Sequence, residues 1–184
     1  LPAVTGWAGR LEQSQRYTFL AGYNRGSYLA HSRAIAIDRS WSSGVREETA
    51  DDWALITLAE PIGKTVGYLK LERFNTKSWQ QDLRDGKRYA QAGYSHDRSH
   101  VLTRHINCEI QGFLKGEQAF AHRCDATNGD SGSPILARRG KTYSIVGLHV
   151  ASARDRGFGI AITGARIAYQ LPKLTQNLPR APAQ

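Results

Sequence analysis

The chain has 184 residues, 40% hydrophobic and 22% charged, and 25 Lys+Arg against 16 Asp+Glu give a formal net charge of +9. This length and apolar content suit one ordinary domain or two small packed lobes and exclude a disordered chain. A mean hydropathy of −0.49 and the lack of a long apolar run exclude a membrane-spanning helix. The basic residues are scattered, densest at Lys87-Arg88, Arg138-Arg139-Gly140-Lys141 and around Arg154 and Arg156. They follow no RNA-binding signature, zinc-finger spacing or basic helix, so a solvated basic surface is expected and no nucleic-acid partner. The opening residues LPAVTGWAGR have neither a positive n-region nor an apolar h-region, so an exported protein would carry its leader outside these residues.

Short strand-like runs recur between Gly, Asp and Asn turns: RYTFLAGY (16–23), YLAHSRAIAI (28–37), WALITLA (53–59), KRYAQAGY (87–94), HVLTRHINCEI (100–110), SPILARR (133–139), TYSIVGLHVAS (142–152) and FGIAIT (158–163). Many short strands with turn chemistry between them predict an all-β barrel or sandwich. The mixed stretch 64–85 would connect two lobes. TGARIAYQLPKLTQ (163–176) predicts a helix, with Thr163 as its cap and Ile167 and Leu171 on one face. The tail NLPRAPAQ reads as loose. Cys108 and Cys124 are too far apart for a C-x-x-C redox pair and carry no zinc pattern. They permit one disulfide, worth roughly 3 kcal/mol and implying an oxidising compartment; two buried thiols are the alternative.

The stretch CDATNGDSGSPIL (124–136) holds the most chemistry. Ser131 stands between Gly129 and Gly132, where the backbone can turn tightly and approach a ligand. Such a turn can aim the N–H groups of Gly129 and Ser131 at one point, as an oxyanion hole does. Read alone, it is equally an ordinary β-turn. A serine hydroxyl also needs a base to become a nucleophile. Upstream, Asp52 directly precedes an apolar run, where it could orient that base or simply open a strand.

Together these stretches resemble the chymotrypsin-fold, or trypsin-like, serine proteases. DWALITL (52–58) looks like the family's Asp-x-Ala-Leu-Leu motif, and GDSGSP (129–134) like its nucleophile motif. AGY (92–94) resembles the strand that opens the second barrel, and VGLHV (146–150) the strand lining the specificity pocket. The Ser-Pro ending is similar to bacterial branches, glutamyl endopeptidases included. The resemblance spans about residues 15–172. It implies an all-β fold of two packed six-stranded Greek-key barrels, the first incomplete at its N-terminus, with a C-terminal helix. The expected division is 1–65 first barrel, 66–85 connection, 86–164 second barrel and 165–184 helix and tail.

The resemblance also implies a secreted or periplasmic, monomeric serine endopeptidase acting on protein or peptide, with no metal or organic cofactor. Ser131 would be its nucleophile, Asp52 the orienting acid with Asp51 the weaker candidate, and the Gly129 and Ser131 N–H groups the oxyanion hole. Asp130 would hold the oxyanion loop through an ion pair, to an arginine because Leu1 does not open an Ile-Val-Gly-Gly start. Asp125 would lie at the base of the specificity pocket and select basic side chains. His149 instead resembles the histidine with which glutamyl endopeptidases bind acidic ones, and the two residues could also pair with each other.

The family's histidine precedes its aspartate, and only His31 does so here. Three readings follow. The histidine motif falls ahead of residue 1; His31 is the base; or the chain is a binding protein on the protease fold that lacks a base. His96, His100 and His105 read as surface residues, since their spacing suits a helix better than a zinc site on a strand. His122 reads as loop.

Overall fold

Turn glycines and short apolar alternations cut the chain into strands, which the computed structural model, describing residues 17–39, 49–153 and 156–175, gathers into two sheets. The first is antiparallel, with β1 (Thr18–Ala21), β2 (Ala30–Arg39) and β3 (Ala54–Leu58) in sequential order. Leu20 faces His31 and Ile37 faces Ile56. The connection then carries a short helix α1 (Gly63–Val66), β4 (Lys70–Leu71) and helix α2 (Thr76–Arg84). Asn75 and Ser78 start α2 with a reciprocal capping box: the Ser78 N–H donates to Asn75 Oδ1 at 3.0 Å and the Asn75 N–H to Ser78 Oγ at 2.9 Å.

The second sheet contains β5 (Tyr89–Gly93), β6 (Thr103–Cys108), β7 (Ile110–Leu114), β8 (Ala119–His122), β9 (Pro134–Arg139), β10 (Thr142–Ala153) and β11 (Phe158–Thr163). Its ladder runs β6-β5-β9-β10-β11-β8-β7, with β4 parallel to β10 off that path. Only Glu109 separates β6 from β7. The two ends of the ladder therefore lie on one bent strand, which pairs with β5 in its first half and with β8 in its second and so curls the sheet into a six-stranded barrel. Helix α3 (Gly164–Thr175) follows β11 directly. Thr163 caps it as expected, its Oγ1 accepting the Arg166 N–H at 3.1 Å. No helix among the described residues is long and apolar enough to cross a membrane.

The barrel core is built on Phe74, Tyr89, Phe120, Ile135 and Val146. Phe74 meets Tyr89 and Phe120 edge-on, at centroid distances of 5.8 and 6.0 Å. A second apolar seam joins Trp53 and Leu55 to Leu148, Ile162, Ile167 and Leu171, and so packs β3 on β10, β11 and α3. A polar contact ties the β1–β2 loop to the barrel: the Tyr94 hydroxyl donates to the Tyr23 carbonyl at 2.6 Å, and the Arg25 N–H to the His100 carbonyl at 2.7 Å. Cys108 and Cys124 form a disulfide, so the two-thiol alternative falls. It staples the end of β6 to the segment leaving β8.

Candidate active site

The segment between β8 and β9 carries Ser131, which is exposed at the tip of a turn. Gly129 and Gly132 on either side have φ of 98° and 92°, a left-handed region that side-chain-bearing residues rarely enter. The turn is held from within and by two neighbours. Within it, the Asp130 carboxylate accepts the Thr127 N–H at 2.8 Å and the Asp130 carbonyl accepts the Ser133 N–H at 2.9 Å. Strand β10 is stitched to it, with the Gly132 N–H donating to the His149 carbonyl at 2.7 Å and the His149 N–H to the Ser133 carbonyl at 2.9 Å. From the other side, the His96 N–H donates to the Asn128 carbonyl at 2.7 Å. Among the described residues the Gly129 and Ser131 N–H groups have no protein acceptor, which is one of the conditions an oxyanion hole sets.

Asp130 is 5% exposed. Its carboxylate meets the Thr127 amide rather than the expected arginine. Arg98 and Arg104 lie along the same cleft of about 460 Å³, with Gln91, Thr103 and Asp125. Gly93 is required below: an added Cβ would overlap Ser133 Oγ and lie 2.8 Å from Asp130 Oδ1.

Asp52 sits between a 3-10 turn (Thr49–Asp51) and β3, half-buried, its N–H on the Thr49 carbonyl at 3.3 Å. Asp51 turns to α3 instead, where Arg166 contacts its Oδ1 at 2.7 Å and the Gln170 amide at 3.4 Å. His31 lies near the start of β2, exposed, its ring edge-on to Tyr28 at 5.4 Å. No hydrogen bond, ion pair or ring contact links it to the Ser131 turn.

Asp125 faces solvent, its side chain 89% exposed, 3.4 Å from His105 Nδ1. That nitrogen also accepts the Asp125 N–H at 2.7 Å. Asp125 therefore does not pair with His149, whose partner is His122. The loop reading of His122 is also corrected: it ends β8 and is 0% exposed. Its Nε2 is 3.0 Å from His149 Nδ1, with the rings T-shaped. The Cys124 N–H donates to His122 Nδ1 at 3.2 Å. A nitrogen that accepts carries no proton, so neutral His122 is protonated at Nε2 and donates to His149 Nδ1. Neutral His149 then holds its proton on Nε2, which faces Ser152 Oγ at 3.5 Å. Burial pushes His122 down to about 3, with His149 beside it as a smaller cause. Burial also lowers His149, partly countered by Asp130. Gly159 makes room for the pair: an added Cβ would lie 2.6 Å from His122 Nε2 and 3.1 Å from His149 Cε1.

The other histidines have separate occupations. His100 Nδ1 meets the Tyr23 hydroxyl at 2.7 Å, and His105 is held by Asp125. Sequence reading missed His122, Ser152 and Arg166. The available signals were modest: AFAH alternates into a strand, and Arg166 and Gln170 stand at i, i+4 on the polar face of the expected helix.

The trypsin family profile matches residues 11–169 of the chain. Among solved structures, a Glu endopeptidase crystallised with MPD is similar at TM-score 0.67 and 17% identity, covering 86% of this chain and 72% of that one. A thermostable serine protease from an extremophilic microorganism is similar at TM-score 0.60 and 15% identity, covering 87% of this chain and 76% of that one. Identities this low are a likeness of fold, and they agree with the all-β, two-lobed architecture with a C-terminal helix. No curated protein matches the chain in sequence.

Proposed function

The chain belongs to the trypsin family of serine proteases, and on that premise we propose that Ser131 is the nucleophile of an endopeptidase that works through an acyl-enzyme. The observation that carries this is the clasped turn, which exposes Ser131 between two left-handed glycines and leaves two backbone N–H groups beside it without protein acceptors. Ser131 Oγ attacks the scissile carbonyl as a histidine takes its proton. The Gly129 and Ser131 N–H groups stabilise the oxyanion, and the histidine returns the proton to the leaving amine. Asp52 holds the histidine's tautomer and stabilises its cation. Asp51 is the poorer choice because α3 already engages its carboxylate. We infer that His31 is not the base: it lies on β2 with its ring edge-on to Tyr28, and no hydrogen bond, ion pair or ring contact among the described residues joins it to the Ser131 turn. The disulfide supports an oxidising, extracytoplasmic setting.

A serine-directed fluorophosphonate tests the proposal on this chain, on a form extended by its upstream sequence, and on the Ser131→Ala variant of each. The extended form is expected to label, and Ser131→Ala to lose all label. Labelling of this chain that His31→Ala abolishes would make His31 the base. Labelling of neither form would make the protein a binding module on a protease fold.

Side-chain preference has two readings. A basic preference needs Asp125 at the base of the pocket. An acidic preference is favoured by the solvent-facing Asp125 and by the donors that His149 Nε2 and Ser152 Oγ bring together; the structural likeness to a Glu endopeptidase agrees with it. Paired peptides with Glu or Lys before the scissile bond decide between them. The Glu peptide is expected to be cleaved at least ~10-fold faster, and His149→Leu to erase the preference, a loss of about 1–3 kcal/mol for one well-placed polar contact. Faster cleavage of the Lys peptide would return the pocket to Asp125.

A further inference from the structure

We propose that Arg166 is a positioning residue for catalysis, acting through Asp51 to hold the orienting carboxylate Asp52 in register with Ser131. This rests on the reading of Asp52 as the triad acid and adds a residue to it.

The nucleophile and the orienting acid come from different sheets, so something must fix one against the other. Ser131 belongs to the barrel: its turn is bonded to β10 at His149, and His149 faces Ala161 of β11. Strand β11 runs without a break into α3. Helix α3 is thus an extension of the framework that carries the nucleophile. It reaches back to the other sheet through Arg166, which lies 2.7 Å from Asp51 Oδ1, and through Gln170 one turn later. Both ends of the contact are three-quarters or more buried, at 24% and 18% exposure, so water screens it less than a surface pair.

Asp52 is flanked by two anchored residues. Asp51 is fixed by Arg166, and Trp53, 6% exposed, is sunk among Ile162 and Ile167 of β11 and α3. The backbone between them is closed by the Asp52 N–H on the Thr49 carbonyl and the Trp53 N–H on the Asp51 carbonyl. Moving Asp51 therefore moves Asp52. Stability alone does not explain this seam. Among the described residues Trp53 Nε1, Arg166 Nε and Gln170 Oε1 are buried there without hydrogen-bond partners, and each such atom costs free energy that an apolar contact would not. What a polar seam adds over an apolar one is a defined register between the surfaces it joins.

Whichever form labels with the fluorophosphonate carries the test, through kcat, KM and thermal midpoint for Arg166→Met, Arg166→Lys, Asp51→Asn and Asp52→Asn. Arg166→Met is expected to lower kcat at least ~10-fold with KM within about twofold, since a shift near 1 Å in a catalytic group costs up to ~100-fold. Arg166→Lys should restore most of that loss. Asp51→Asn, which leaves no unpaired carboxylate, should reproduce it if Arg166→Met folds poorly. In the Asp52→Asn background Arg166→Met should cost nothing further, because the group it positions has already been disabled. Unchanged kcat in both Arg166→Met and Asp51→Asn overturns the proposal, as does a full additional loss on top of Asp52→Asn. Activity that survives Ser131→Ala overturns the triad reading itself, a separate result.

Discussion

Gly129→Ala is expected to lower kcat by about 100-fold or more while the barrel stays folded. Two effects add at this position. The residue has φ of 98°, where an L side chain is strained by roughly 1–2 kcal/mol. The new Cβ would also overlap the His96 backbone nitrogen and lie 3.0 Å from the Ser95 carbonyl carbon. Backbone atoms cannot swing aside as a side chain can. The turn must rotate, breaking the 2.7 Å bond from the His96 N–H to the Asn128 carbonyl and re-aiming the Gly129 N–H. Loss of one oxyanion donor costs about 10²–10³ in kcat. Gly132→Ala provides the internal comparison. Its φ of 92° is similar, but no atom lies within 4 Å of the added Cβ, so only the intrinsic strain applies and the loss should be smaller. Steady-state kinetics with a thermal midpoint for both variants decides this. Equal losses in the two would show that His96 does not brace the turn.

Arg139→Met should have the largest effect on stability. Arg139 forks onto Glu72 through two bonds of 2.8 Å and onto Asp82 through bonds of 3.0 and 2.9 Å. Asp82 is 3% exposed and also receives the Tyr89 hydroxyl at 3.1 Å and Lys87 Nζ at 3.2 Å. The cluster ties α2 and the β4 segment to β9. Removing the guanidinium leaves a buried carboxylate with one half-exposed lysine for compensation. Breaking a buried pair from one side costs about 3–5 kcal/mol, or a fall of roughly 10 °C in thermal midpoint at this chain length. Urea unfolding measures it. Arg139→Met combined with Asp82→Asn should be less damaging than the sum of the two, because the second change removes the charge that the first one strands. Additive losses, or a single loss below ~1 kcal/mol, would show that the network contributes packing alone.

What could be read in the sequence depended on whether the signal was local. The eight strand-like runs became strands because short runs bounded by turn residues are a local signal, carried wherever the strand lies. The Ser131 turn was legible for the same reason: its glycines are dictated by backbone angles at the turn itself. Helix α2 was not foreseen, since TKSWQQDLR has only Trp79 and Leu83 to mark an apolar face and declares itself chiefly through its cap. Strands β7 and β8 are four or five residues each, joined by a turn in which Lys115 and Glu117 have positive φ without being glycine. The pairing of His122 with His149 depends on the Gly159 vacancy between them, and the Asp51–Arg166 contact joins residues far apart in the chain. Neither leaves a mark in its own neighbourhood. Asp125 shows the converse: its spacing from Ser131 suggested a pocket base, whereas the segment after Cys124 turns its side chain to His105 and solvent.

The closure of the barrel on one bent strand has a consequence for folding order. The β5–β6, β7–β8 and β9–β10 pairs are hairpins that can form from local sequence. The ladders that unite them are not local: Ala90 must find Leu136, and Ala121 must find Ile160. Such contacts come late, because the entropy of closing the intervening loop is lost before they form. The Ser131 turn is braced from β10 and from the loop after β5 at once, so its geometry exists only after those distant ladders have zipped. A chain still folding thus carries the Ser131 sequence without the geometry of its turn, and any chemistry that depends on that geometry must wait for the finished barrel.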